Sequence, residues 1–254
     1  MSSTAYQGVG RIKVGLHSSG VSLGLRKLRD TGNNSAFQFS FTTRDGSLRD
    51  YTDPAGGVDA KLQQIEEASG QIDFRHISAE NFALLLWGEH DIKSNTAITG
   101  EVIAAHAGGF VPTRRIINRT VAPVLKKGAT TLSTADYKVS DAGITFADTF
   151  ATSGLTDGDE ITIDYTPRAG YNVQALIKAA PLVSIVFEGI NIVTGLPFVV
   201  RMYKARLGVA QQVGLIGDDF ATFSVTFTLE KDDDDPSIAA NDSRWFELDA
   251  AEAA

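Results

Sequence analysis

The sequence predicts a mainly β protein. A discontinuous β domain is assembled from two separated stretches, 1–95 and 168–254, with one flanking α-helix, and a small β-sandwich is inserted between them at 96–167. Three observations carry this reading. Phe-rich segments with period-two alternation stand on both sides of the middle region, in "SAFQFSFTTR" and "ATFSVTFTLE". Between about Thr96 and Pro167, short apolar runs are divided by Gly, Asp and Ser turns at close intervals, the pattern of a compact sandwich. Helical spacing is clear in one segment, "SAENFALLLWGEHD".

Taken in order, residues 1 to about 33 are Gly-rich and carry the basic cluster Arg26, Lys27 and Arg29; they read as an arm or short strands ending in a turn at "TGNN". Phe37, Phe39 and Phe41 then alternate with Gln38, Ser40 and Thr42, which makes a strand with one buried face. The stretch "DGSLRDYTDPAGGVD" is dense in Asp, Gly and Pro and predicts a long exposed loop from Arg44 to Asp59. "QQIEEASGQIDFRHI" predicts a second strand, interrupted near Gly70, with Ile72, Phe74 and His76 on one face. The helix is expected over 78–90, with Ser78 as its cap and Gly88 near its end. After the middle region, "PLVSIVFEGINIVTGLPFVVRMYKARLG" reads as a hairpin around the Thr194–Gly195 turn. A third strand at 221–229 follows it and runs into Asp232, Asp233, Asp234 and Asp235, which read as a solvated acidic loop.

Composition bounds the function. With 254 residues, 43% hydrophobic residues and 14 Phe, the chain can bury a core in each of two domains. It has no cysteine, which excludes disulfides, thiolate metal sites and cysteine nucleophiles and fits assembly in a reducing cytosol. No apolar run approaches the roughly 20 residues that span a bilayer, and the N-terminus lacks a signal-peptide core, so membrane insertion and secretion are not expected. The net charge of -8 disfavours a protein that grips nucleic-acid phosphates, although an acidic wall can repel them.

Catalytic motifs are not in evidence. His17, His76, His90 and His106 have no metal-ligand spacing, and neither a GxSxG elbow nor a phosphate-binding loop is present. "GVSLGLRK" reads as a flexible basic arm, and "DGDE" at 157–160 and "GDDF" at 217–220 sit in turn-like contexts where Asp shapes the backbone. "KDDDDP" lacks the alternation and the Gly of a calcium loop. The expectation is a non-enzyme without metal or cofactor.

Four segments carry a family resemblance: "SAFQFSFTTRDGSLRDYTDPAGG", "DFRHISAENFALLLWGE", "FEGINIVTGLPFVVRMYKARLG" and "LIGDDFATFSVTFTLEKD". Together, and in matching order over most of 1–98 and 168 to about 232, they resemble the major tail tube protein of long, non-contractile bacteriophage tails. The resemblance implies a structural virion protein whose barrel-forming β-sandwich subunits, each with a flanking helix, form hexameric rings around a continuous β-barrel channel. The rings stack helically into a tube through which double-stranded DNA passes into the host. It implies tape-measure, tail-terminator and baseplate proteins as partners, and assembly in the bacterial cytoplasm. In that setting Ser40, Glu66, Asp73, Glu188, Thr226, Thr228 and Glu230 are candidates for the lumen wall, where acidic and hydroxyl groups keep phosphates from adhering. The loop residues Arg44, Asp45, Arg49, Asp50 and Asp53 are candidates for contacts between subunits or rings. So are Arg26, Lys27 and Arg29 against Asp232 to Asp235 of a neighbour, the alternative for the aspartates being a channel rim that repels DNA. The middle region resembles an immunoglobulin-like decoration. Two competing classes are a carbohydrate-binding adhesin, whose sign is a loop cluster of exposed aromatics, and a hydrolase built on scattered carboxylates. Against the adhesin, Tyr137, Phe146, Phe150 and Tyr165 sit mostly in strand-like context.

Overall fold

The computed structural model describes residues 5–52, 54–150 and 153–252. It is mainly β and divides into two compact units, one formed by residues 1–90 and 173–254 and the other by 91–172. In chain order the first unit contributes β1 (Gly8–Leu16), β2 (Arg29–Asp30), β3 (Asn34–Arg49), β4 (Val58–Phe74) and α1 (Ala79–Leu85). The chain leaves through β5 (Glu89–Lys93). It then forms β6 (Ile98–Ala105), β7 (Phe110–Pro112), β8 (Val124–Lys127), β9 (Thr130–Thr131), β10 (Tyr137–Val139), β11 (Gly143–Phe146) and β12 (Asp159–Tyr165). It returns through β13 (Gly170–Gln174), which pairs with β5, and completes the first unit with β14 (Leu182–Asn191), β15 (Leu196–Leu207), β16 (Phe223–Leu229) and β17 (Phe246–Ala250).

The first unit is one sheet in the order β2-β1-β14-β15-β16-β4-β3, with β17 added to β15. β15 serves two neighbours on one edge: Phe198 to Met202 pair with β17, and Ala205 to Leu207 pair with β16. The sheet folds back on itself, so that Phe37 of β3 lies 5.6 Å from the Phe187 ring of β14 and 6.1 Å from that of Phe227. Alternation then sorts the side chains. Phe223, Val225, Phe227 and Leu229 enter a core with Ile12, Val14, Ile72, Phe74, Ile185 and Met202, while Ser224, Thr226 and Thr228 face outward. Gly70 sits opposite Phe227, whose ring occupies the space that a Cβ would fill, so the glycine does not interrupt β4.

Three further sequence expectations change here. The predicted loop from Arg44 to Asp59 is mostly hairpin: β3 continues to Arg49 and β4 begins at Val58. Its two strands pair with each other along the backbone although neither carries a buried face there. The helix is shorter than 78–90. Ser78 caps it, accepting from the Asn81 backbone N–H, but the helix stops at Leu85 because the carbonyls of Leu86 and Trp87 accept from the N–H groups of Leu176, Ile177 and Lys178. Phe82 of this helix packs 5.5 Å from Phe223. β4 ends at Phe74, so His76 is exposed and does not share the face of Ile72 and Phe74.

The second unit has two sheets, β6-β12-β8-β9 and β10-β11-β7, closed over Ile103, Ile117, Leu125, Ile144, Ile161 and Ile163. Tyr137, Phe146 and Tyr165 are buried in it. The Tyr165 hydroxyl donates to Glu101 and accepts from the Arg115 backbone; burial and the Glu101 carboxylate push its pKa up to about 12.

Candidate functional site

The outward face of β3, β4 and β16 is one polar surface, fixed by register. Ser40 pairs with Ser69 and Ser69 with Thr228; Gln38 pairs with Gln71 and Gln71 with Thr226; Asp73 is opposite both Ala36 and Ser224. Of the proposed wall residues, Ser40, Asp73, Thr226 and Thr228 therefore share this face. Glu230 extends it, but its charge is met within the chain by Arg206 at 2.6 Å and Lys204 at 3.3 Å. Burial works against the Glu230 carboxylate, and these two cations more than offset it, holding its pKa below the usual range. Asp73 accepts from the Gln71 amide at 2.7 Å.

Two candidates fall elsewhere. Glu66 is the extra residue of a β-bulge, since Thr42 pairs with Glu67 and Thr43 with Ile65; Glu67, not Glu66, reaches the polar face and accepts from Thr228 at 3.2 Å. Glu188 lies on β14 opposite Arg11, away from the serine and threonine rows, and pairs with Lys13. That hydrogen bond holds the Glu188 carboxyl below its ordinary pKa.

The hairpin beyond the bulge is exposed on both faces, with Arg44, Asp45 and Arg49 along it. Asp50 closes the turn by accepting from the N–H and hydroxyl of Thr52, and Asp53 lies outside the described residues. Past Thr42 both faces mix polar and apolar residues. Ser40 and Thr42 are followed on their side by Arg44 opposite Gln64 and by Gly46 and Leu48 opposite Leu62 and Ala60, whereas the side that carried Phe37, Phe39 and Phe41 continues into Thr43, Asp45, Ser47 and Arg49 opposite Ile65, Gln63, Lys61 and Val58. Leu48 and Leu62 are 56% and 58% exposed.

The basic cluster and the acidic run do meet, but inside one chain. Arg26 is fully buried and donates to Asp232 at 2.9 Å, to Asp235 at 3.1 Å, to Ser184 Oγ, and to the carbonyls of Tyr203 and Val21. Asp232 also meets His17 Nε2 at 3.0 Å, and Asp235 accepts from the Leu23 backbone and from Ser237. Arg26, Asp232 and Asp235 are thus removed from the set of surface contacts, because a buried carboxylate persists only when paired and hydrogen-bonded. Asp233 and Asp234 remain at the surface, the latter accepting from Ser19. Lys27 is exposed, and half-buried Arg29 is tied to Asn81.

Two further features were not legible in sequence. One is β17, which covers the β15 edge and brings Glu247 and Asp249 to Arg201. The other is a slot of about 540 Å³ between β1 and β3, walled by Tyr6, Phe37, Phe39, Phe187 and Phe198. Among the described residues no group of three His, Asp or Glu side chains is arranged to hold a metal.

No curated protein matches the sequence. A family model matches residues 5–248, nearly the whole length of the chain. On that match the chain belongs to the family described as protein of unknown function UCP028589.

Proposed function

We propose that this chain is a self-assembling structural subunit, a major tail tube protein whose hexameric rings stack around a channel for DNA. The observation that carries the proposal is the β3–β4 hairpin, which continues past the bulge through seven further residue pairs, Thr43–Ile65 to Arg49–Val58, with every residue of those pairs exposed in the isolated chain. β3 is also the terminal strand of its sheet, and at the other end β2 pairs only with Lys13 and Val14 of β1. Long unpaired edges invite pairing with another chain, and a closed ring of subunits removes them. The polar face of Ser40, Ser69, Thr226 and Thr228, with Glu67 and Asp73 as its acidic members, suits a wall that stays wet and does not hold phosphate. On this reading the protein resides in the virion tail, with tape-measure and terminator proteins as partners, and the 91–172 unit is a decoration.

Electron microscopy of the purified chain, concentrated in kosmotropic salt to strengthen apolar burial, tests the proposal. Rings or tubes are expected. A chain that stays monomeric at its solubility limit in that salt overturns it.

A further inference from the structure

The aromatic slot between β1 and β3 is unlike the rest of the first unit. Its volume is that of a ligand pocket, and its walls are the rings of Tyr6, Phe37, Phe39, Phe187 and Phe198. Asn34 also lines it. The Asn34 amide donates to Thr31 Oγ1 and the Gly32 carbonyl, but its Oδ1 is buried with no hydrogen-bond partner among the described residues. A buried acceptor left unpaired is costly. The chemistry that fits is an aromatic ring carrying one O–H or N–H donor.

We infer that the slot receives the Tyr51 side chain of a second copy of this chain, its phenol donating to Asn34 Oδ1. This rests on the assembly proposed above. Tyr51 is 83% exposed, the most exposed aromatic donor among the described residues, and it stands at the tip of the β3–β4 hairpin. At about 3.3 Å per residue, some 50 Å of strand separate it from Asn34 of its own chain, so the ring must come from another copy. An aromatic anchor in a pocket is the usual centre of binding energy at an interface.

The chain has no cysteine, so single-thiol variants report proximity cleanly. Thr52→Cys beside the anchor and Ser35→Cys at the slot mouth, made in separate chains and mixed with a short bismaleimide, should give a crosslinked heterodimer. Tyr51→Phe should raise the subunit concentration needed for assembly about five- to tenfold, the worth of one hydrogen bond. Tyr51→Ala should raise it at least about thirtyfold, with unchanged thermal unfolding. If wild type assembles, yet Tyr51→Ala assembles equally well and no crosslink forms, this inference fails and the assembly reading stands. If wild type does not assemble, both fail. Saturable binding of free phenol to the slot, with assembly indifferent to Tyr51, assigns the slot to a small aromatic ligand and also overturns the inference.

Discussion

Replacing Arg26 by methionine keeps most of the side-chain volume and removes the cation from a buried cluster. In the native chain its guanidinium makes four hydrogen bonds through Nη1 and Nη2, two of them to the carboxylates of Asp232 and Asp235, and the three side chains are at most 1% exposed. Removing one partner of such a set strands the other charges, which costs about 3–5 kcal/mol, a large part of the roughly 5–15 kcal/mol that holds a domain folded. Both tryptophans, Trp87 and Trp245, lie in the first unit, so their fluorescence during urea unfolding reports that unit alone. With a slope of about 2–3 kcal/mol per molar, the midpoint should fall by about 1–2 M. The triple variant Arg26→Met, Asp232→Asn, Asp235→Asn should recover part of that loss, because no charge is left without its counterpart. A surface pair is worth about 0–1 kcal/mol. A midpoint shift under about 0.3 M for Arg26→Met, or a triple variant as unstable as the single one, would refute the buried-cluster reasoning.

The Asp232 carboxyl has to bear burial, but hydrogen bonds from Arg26 and His17 hold its pKa below the ordinary carboxylate range. Its stabilisation is therefore complete above the unfolded pKa of about 3.9 and is lost as pH falls through the lower folded value; the melting temperatures of wild type and Asp232→Asn should differ at neutral pH and converge below about pH 4. Gly70→Ala places a Cβ 2.3 Å from the Phe227 ring and 2.5 Å from the Gln38 carbonyl, so urea unfolding should show a loss of about 1–3 kcal/mol. At Gly170, where an added Cβ meets nothing within 4 Å, alanine should change stability by less than about 0.5 kcal/mol. Deleting Glu66 removes the unpaired residue of the bulge and leaves the pairs Thr42–Glu67 and Thr43–Ile65 in place, so Leu62 and Ala60 keep their face; assembly seen by light scattering should persist and the Trp-monitored unfolding should stay within about 1 kcal/mol.

The core was legible where a strand has one wet and one dry face, as at Phe223 to Leu229, because that asymmetry is written in the alternation itself; on β3 the same alternation overstates burial, since Phe37 and Phe39 are half-buried and Phe41 is 47% exposed. The hairpin beyond Thr42 has no dry face in one chain, and its Asp, Gly and Pro content therefore read as a loop. The acidic run shows the same limit in another form. Asp232 looks solvated when judged with its neighbours, and its counter-charge, Arg26, lies 206 residues away in sequence. Glu66 was misplaced because a bulge shifts phase without leaving a composition signal. β17 is short and follows an irregular stretch, so its five residues carry too little periodicity to be seen.

The bulge at Glu66 also links the fold to the proposed assembly. Below it, the sheet buries phenylalanines on one face and shows hydroxyls on the other, which is what a self-contained subunit requires. Above it, four large apolar side chains stand more than half exposed, Leu48 and Leu62 on the hydroxyl side and Val58 and Ile65 on the other, and among the described residues no segment buries them. Exposed apolar side chains on both faces of one extended hairpin call for surface that approaches from each side. A hairpin built only as a solvated extension gains nothing from them, so they are an argument that a neighbouring molecule encloses it.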